Sequence, residues 1–159
     1  MAVPTRAPAE TQVSRDRLIE LLNEDLAREY QAIIAYVVYS QVIKGAEYME
    51  IAKELTKHAK QELDHALIIA KQIDYLGGTP VVVPKQVRMA RDAEALIRFD
   101  LENETETIRE YRNRVRQCEA LGEYAMAEYI REILKNEQDH QIDLATALGE
   151  DPPNTSEEE

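Results

Sequence analysis

Residues 76–90 read LGGTPVVVPKQVRMA. Pro80 and Pro84 rule out a helix interior here and favour an extended path. The chain on either side is dominated by Ala, Leu, Glu, Arg and Ile, which are good helix formers. Before this segment the sequence predicts one helix from Ser14, its N-cap, to Lys44, stopped by Gly45, and a second from Ala46 to Leu76, stopped by Gly77-Gly78. After it come a third helix from Asp92 to Leu121-Gly122 and a fourth from Glu123 to Leu148, closed by Gly149 and Asp151-Pro152-Pro153. One or two residues join the first helix to the second and the third to the fourth, so each pair forms an antiparallel hairpin. A thirty-residue helix is about 45 Å long, and fifteen extended residues reach about 50 Å. The segment is therefore long enough to run the length of a bundle and start the third helix parallel to the second. The expected fold is all-α: a four-helix bundle of two antiparallel hairpins joined by one long crossover, with no fifth helix evident after Gly149.

Apolar residues recur at helical spacing, as in Leu18, Leu22, Ile33 and Val37 on the first helix and Ile51, Leu55, Ile69 and Ile73 on the second. A chain of 159 residues with 44% apolar content suits one domain with one core. The expected organisation is a disordered tail over 1–13, the bundle over 14–149 and an acidic disordered tail over 150–159. A net charge of −12 disfavours nucleic acid and anionic lipid and favours cations. No apolar run approaches the length of a membrane span, and residues 1–13 hold no signal-peptide core. A single cysteine, Cys118, rules out an intrachain disulfide and sets a cytoplasmic address as the expectation.

Two of the three histidines stand in Glu-x-x-His motifs, Glu62 to His65 and Glu137 to His140. Residues three apart share a helix face, so each pair can reach one ion. Glu29 lies 33 residues before Glu62, and Glu104 lies 33 before Glu137. The repeat extends further: Asp25, Glu29 and Tyr36 on the first helix match Asp100, Glu104 and Tyr111 on the third. The glutamates continue the apolar stripes, and no Lys or Arg shares those stripes at their level. Four unpaired buried carboxylates would cost several kcal/mol each, whereas two divalent cations balance them. Oxygen-rich ligands with one imidazole per ion suit iron or manganese rather than a closed zinc site.

The segments LNEDLAREYQAIIAY (22–36), KHAKQELDHA (57–66), FDLENETET (99–107) and EILKNEQDHQIDL (132–144) resemble the four ligand-bearing stretches of bacterioferritin, within the ferritin-like di-iron carboxylate superfamily. The resemblance covers residues 16–148. It implies two iron ions per chain, with Glu29 and Glu104 as terminal ligands, Glu62 and Glu137 as bridges, and His65 and His140 as one imidazole for each iron. It also implies Fe(II) oxidation by O2 or peroxide and storage of Fe(III) in a homo-oligomeric shell, at least a dimer. Two departures stand out. Bacterioferritin carries its haem-ligating Met just after the second-helix Glu, where this chain has Leu63, so haem is not expected there. Larger ferritin cages add a fifth helix, where this chain has Asp-Pro-Pro and acids. A rubrerythrin-like di-iron or di-manganese peroxidase without storage is the alternative, but its seventh ligand would fall at Thr107, and one cysteine cannot build its Cys₄ iron domain.

Tyr36, whose counterpart in bacterioferritin lies beside the iron pair, is the candidate catalytic residue, and Tyr111 reads as a core residue. Asp100 and Asp25 are expected to accept hydrogen bonds from the free ring nitrogens of His65 and His140 respectively. His58, one turn before Glu62, reads as a structural or solvent-edge histidine rather than a third metal site.

Overall fold

The computed structural model describes residues 10–156, so residues 1–9 and 157–159 of the expected tails lie outside the described residues. Four helices form: α1 Arg15–Val42, α2 Met49–Tyr75, α3 Ala93–Ala120 and α4 Tyr124–Ala147. Ser14 caps α1, its hydroxyl accepting from Arg17 N at 3.0 Å, and Asp92 caps α3 through Ala95 N at 3.2 Å. The α1–α2 connection is longer than the sequence implied. Ile43 to Gly45 leads into a 3₁₀ turn, Ala46–Tyr48, before α2 starts. Gly45 at φ 119° gives the bend that the extra turn requires.

The crossover lies along α1, which satisfies much of its backbone. Asn23 donates to Thr79 O and accepts from Val81 N, Tyr30 donates to Val81 O, Lys85 N donates to Ala27 O, and Gln31 donates to Gln86 O. Tyr39 donates to Arg88 O. Both partners advance together, so the strap runs parallel to α1. It begins at Gly78, where an added Cβ would sit 2.5 Å from an Ile19 methyl, so only glycine allows the chain this close to α1.

Contacts between hairpins fix the remaining directions. Asp25 and Tyr36 of α1 meet Arg114 and Glu104 of α3, while Glu62 and His65 of α2 meet His140 and Glu137 of α4. In both sets rising numbers meet falling ones, so α1/α3 and α2/α4 are antiparallel. With α1 and α2 an antiparallel hairpin, α2 and α3 are parallel. The bundle is all-α, with the crossover topology that the strap length implied; among the described residues no helix follows α4.

Two apolar clusters fill the interior. Leu18, Leu22, Ile69, Ile73, Ile130 and Ile133 pack in one, and Tyr39, Leu55, Leu96, Ile97 and Leu144 in the other. A layer of buried polar residues lies between them. Val37 departs from the expected stripe: it is 50% exposed, because Tyr36 takes the inward direction beside it. The described parts of the expected tails, residues 10–13 and 150–156, make contacts with the bundle. Val13 packs on the first cluster and Gln117 donates to Glu10 O. Arg98 donates to Glu150 Oε2 at 2.7 Å, Arg112 to Thr155 O and Gln141 to Pro153 O. Prolines 152 and 153 keep this segment extended, so its carbonyls are left for side chains to meet.

Candidate metal centre

Each helix contributes to the polar layer at mid-length. Glu29, Glu62, Glu104, Glu137, His65 and His140 are all buried, none more than 5% exposed. Their donor atoms fall into two groups, each with atoms within 4.8 Å of one another: Glu29, Glu62, His65 and Glu137 in one, and Glu62, Glu104, Glu137 and His140 in the other. Glu62 and Glu137 belong to both groups. Every hairpin supplies one Glu-x-x-His motif and one further Glu, so neither hairpin holds a complete group.

The imidazoles sit inside their groups through Nδ1. His65 Nδ1 lies 2.6 Å from Glu137 Oε1 and 3.1 Å from Glu62 Oε2, and His140 Nδ1 lies 2.8 Å from Glu62 Oε1. Despite this closeness, well-directed hydrogen bonds do not satisfy the cluster. Glu29 Oε2, Glu62 Oε1, Glu104 Oε2, Glu137 Oε1 and His140 Nδ1 are buried with no hydrogen-bond partner. One acceptor atom from each of four carboxylates and one ring nitrogen therefore converge in the interior, close to one another but without a well-directed hydrogen bond. A pair of divalent cations would use those atoms, and the residues present fit that group.

Without ions the cluster holds protons instead. Burial, reinforced by the Glu137 charge, raises Glu62 well above the usual carboxylate range and pushes Glu104 up to about 7. Burial and the Glu29 charge work against Glu137 ionising, yet hydrogen bonds from Glu104, His140 and His65 hold it down at about 2. Burial opposes the charged imidazoles too. Hydrogen bonding to Glu104 and Glu137 nevertheless lifts His140 to about 10, and His65 is raised by Glu137, Glu29 and Glu62. Metal ions must therefore displace protons as they bind.

Tyr36 donates its hydroxyl to Glu104 Oε1 at 2.6 Å, and Tyr111, read from sequence as a core residue, donates to Glu29. Each tyrosine thus reaches the carboxylate of the opposite hairpin. The two aspartates do not do what was expected of them. Asp25 binds Arg114, at 2.6 Å to its Nε, and also Arg28, while His140 Nε2 faces Gln61 Oε1 at 2.7 Å. Asp100 has no hydrogen bond to His65; its Oδ2 is buried and unpartnered, and burial with the Glu104 charge raises its carboxyl well above the usual range. The cause is a break in the repeat. Equivalent positions lie 75 residues apart, and Arg114 occupies the place that Tyr39 takes in the first hairpin. Asp25 therefore meets a cation, and Asp100 does not. Arg114, Arg28 and Gln61 are the residues that sequence reasoning missed. The only signal for Arg114 was its placement four after Glu110 and three before Gln117, both of which it bonds.

His58 is 2% exposed, with its ring stacked on that of His140 at 3.9 Å. Leu63 is 51% exposed on the outer face of α2. No described helix is long and apolar enough to cross a membrane.

Residues 19–152 match the family described as the ferritin-like domain. The bacterioferritin of Brucella melitensis is 25% identical over 142 residues, covering 85% of this chain and 88% of its own length. The bacterioferritin of Streptomyces coelicolor is 28% identical over 140 residues, with 84% of each chain covered. Among solved structures, a ferritin-like di-iron carboxylate protein from Bacillus anthracis superposes with a TM-score of 0.81 at 30% identity, covering 89% of this chain and 99% of that one. A dodecameric thioferritin, the bacterioferritin-related protein of Bacteroides fragilis, gives 0.80 at 28% identity, covering 87% and 88%.

Proposed function

Because the chain belongs to the ferritin-like domain family and is bacterioferritin-like, we propose that it is a di-iron ferroxidase that stores the Fe(III) it forms inside a homo-oligomeric shell. The observation that carries this reading is the set of five converging, buried ligand atoms on Glu29, Glu62, Glu104, Glu137 and His140 that no well-directed hydrogen bond satisfies. In this reading Glu29 and Glu104 bind one ion each, Glu62 and Glu137 bind both, and His65 and His140 complete one ion apiece. Two Fe(II) each give up one electron, and the pair reduces one O2 with two protons to hydrogen peroxide, or one peroxide with two protons to two waters.

The chain's own residues prepare that chemistry. Their four carboxylates balance the charge of two divalent ions in a site that excludes bulk water. Tyr36 and Tyr111 hold the two terminal carboxylates, and Gln61 fixes the ring of His140. The protons on Glu62, Glu104 and the imidazoles leave as Fe(II) enters. Leu63 offers no atom to a haem iron, so the bacterioferritin haem position is empty of its ligand in this reading. Association of chains is supported by Ile34, Val37, Leu63 and Leu67, which α1 and α2 leave more than 40% exposed.

Aerobic titration of the metal-freed protein with Fe(II), followed by iron analysis of the assembly, tests the proposal. The expected result is rapid oxidation with uptake far beyond two irons per chain. Uptake that stops at two per chain would favour a peroxidase, and the absence of rapid oxidation would overturn the ferroxidase assignment.

A further inference from the structure

Glu54 and His58 lie one turn apart on α2, and Asp143 faces them from α4. Their donor atoms lie within 4.8 Å of one another. His58 is nearly sealed, at 2% exposure; its Nε2 stands 3.2 Å from Asp143 Oδ2, and its Nδ1 is buried without a partner. A neutral imidazole carries one donor and one acceptor nitrogen, and leaving either unmet in a protein interior is unfavourable. The two carboxylates, by contrast, reach water, with side chains 39% and 43% exposed. Lys57 pairs with Glu54 at 2.8 Å, but that lysine is 67% exposed and such a surface pair is easily exchanged. The simple reading, a histidine held by one aspartate, accounts for Nε2 and leaves Nδ1 unexplained.

We propose that Glu54, His58 and Asp143 form a third divalent-cation site, distinct from the six residues of the dinuclear set and open to solvent on its carboxylate side. Two carboxylates balance a doubly charged ion, and an O,O,N donor set with water completing the shell suits Fe(II), Mn(II) or Co(II). Exposure falls stepwise from Asp143 and Glu54 to His58 and then His140. The His58 and His140 rings stack at 3.9 Å and 24°. An ion held here therefore waits one imidazole away from the centre, a role that rests on the dinuclear reading above. The site exists at one end only, because the position equivalent to His58 in the second hairpin is Ile133. Glu54 and His58 stand four residues apart in sequence, whereas Asp143 arrives from 85 residues beyond His58.

Anomalous diffraction from Co(II)-loaded crystals of the full chain, with equilibrium dialysis in solution, tests the site. Wild type is expected to show three cobalt peaks and three ions per chain. The double variant Glu54→Gln/Asp143→Asn, changed only at water-reaching side chains, should lose the outer peak and bind two. An absent outer peak in wild type, or an unchanged peak and stoichiometry in the double variant, would overturn the proposal. An outer peak with no cobalt among Glu29, Glu62, Glu104 and Glu137 would instead overturn the dinuclear reading and leave this site standing.

Discussion

The Tyr36 hydroxyl of the first hairpin holds Glu104 of the second at 2.6 Å. Its ring also stands edge-on to both His58 and His140. Tyr36→Phe keeps the ring and removes only the donor. Stopped-flow measurement should show Fe(II) oxidation slowed on the order of tenfold, equivalent to about 1.4 kcal/mol in the barrier. The metal-free melting free energy should change by only about 1 kcal/mol, the usual net value of one hydrogen bond. An unaltered oxidation rate would show that the hydroxyl has no part in the reaction.

Glu62 belongs to both metal groups and His65 to one. Glu62→Ala and His65→Ala should each abolish rapid Fe(II) oxidation, a loss on the order of hundredfold or more, since even outer partners of metal ligands are worth 10–100-fold. Circular dichroism should show unchanged helix content. Removing Glu62 also relieves crowding among buried carboxyls, so the metal-free Glu62→Ala chain should melt no lower than wild type. Wild-type oxidation by either variant would refute the assignment.

The metal-free protein should lose stability as pH rises. Glu104, at about 7 against an ordinary 4.5, and His140, at about 10 against 6.5, bind protons more tightly folded than unfolded. Their contribution is complete below 4.5 and 6.5 and disappears as pH climbs through 7 and then 10. Glu137, held at about 2, works in the opposite sense: its contribution is present above 4.5 and vanishes as pH falls toward 2. Calorimetry should therefore give a metal-free Tm that falls from pH 6 to pH 10. Saturating Mn(II) should remove that fall, because ions replace the protons. A metal-free Tm that rises over this range would contradict the proton inventory.

Arg114 is 1% exposed and ties Asp25, Glu110 and Gln117 together. Arg114→Met strands a buried carboxylate and should cost about 3–5 kcal/mol in urea unfolding. Adding Asp25→Asn should recover part of the loss, since the stranded charge goes with it. Equal losses in the single and double variants would show that the cost comes from packing alone.

The internal repeat makes most of the buried carboxylate–histidine cluster legible in the sequence. Spacings of 33 within each hairpin place Glu29 beside Glu62 and Glu104 beside Glu137 whatever the fine rotation of the helices. The length and prolines of residues 76–90 likewise dictated the topology. What stayed hidden depended on rotation and on contacts across the bundle. Arg112, Arg114 and Arg116 look alike in sequence, but only Arg114 turns fully inward, and that choice decides the fate of Asp25. Nothing in the sequence singled out Gln61, which the packing of α4 on α2 brings against His140. Asn23 and Gln31 carried no sign that they would fasten the strap.

The substitution of Arg114 for a second copy of Tyr39, and of Ile133 for a second copy of His58, has a consequence for symmetry. Two equivalent hairpins would make a centre with interchangeable faces, and an ion approaching either would meet the same reception. Here one side carries a buried guanidinium clasped to Asp25 and Glu110, which already match its charge. The other face presents an imidazole backed by water-reaching carboxylates. A duplicated architecture has thereby become chemically two-sided, with an arginine–carboxylate network at one end and a histidine–carboxylate cluster at the other.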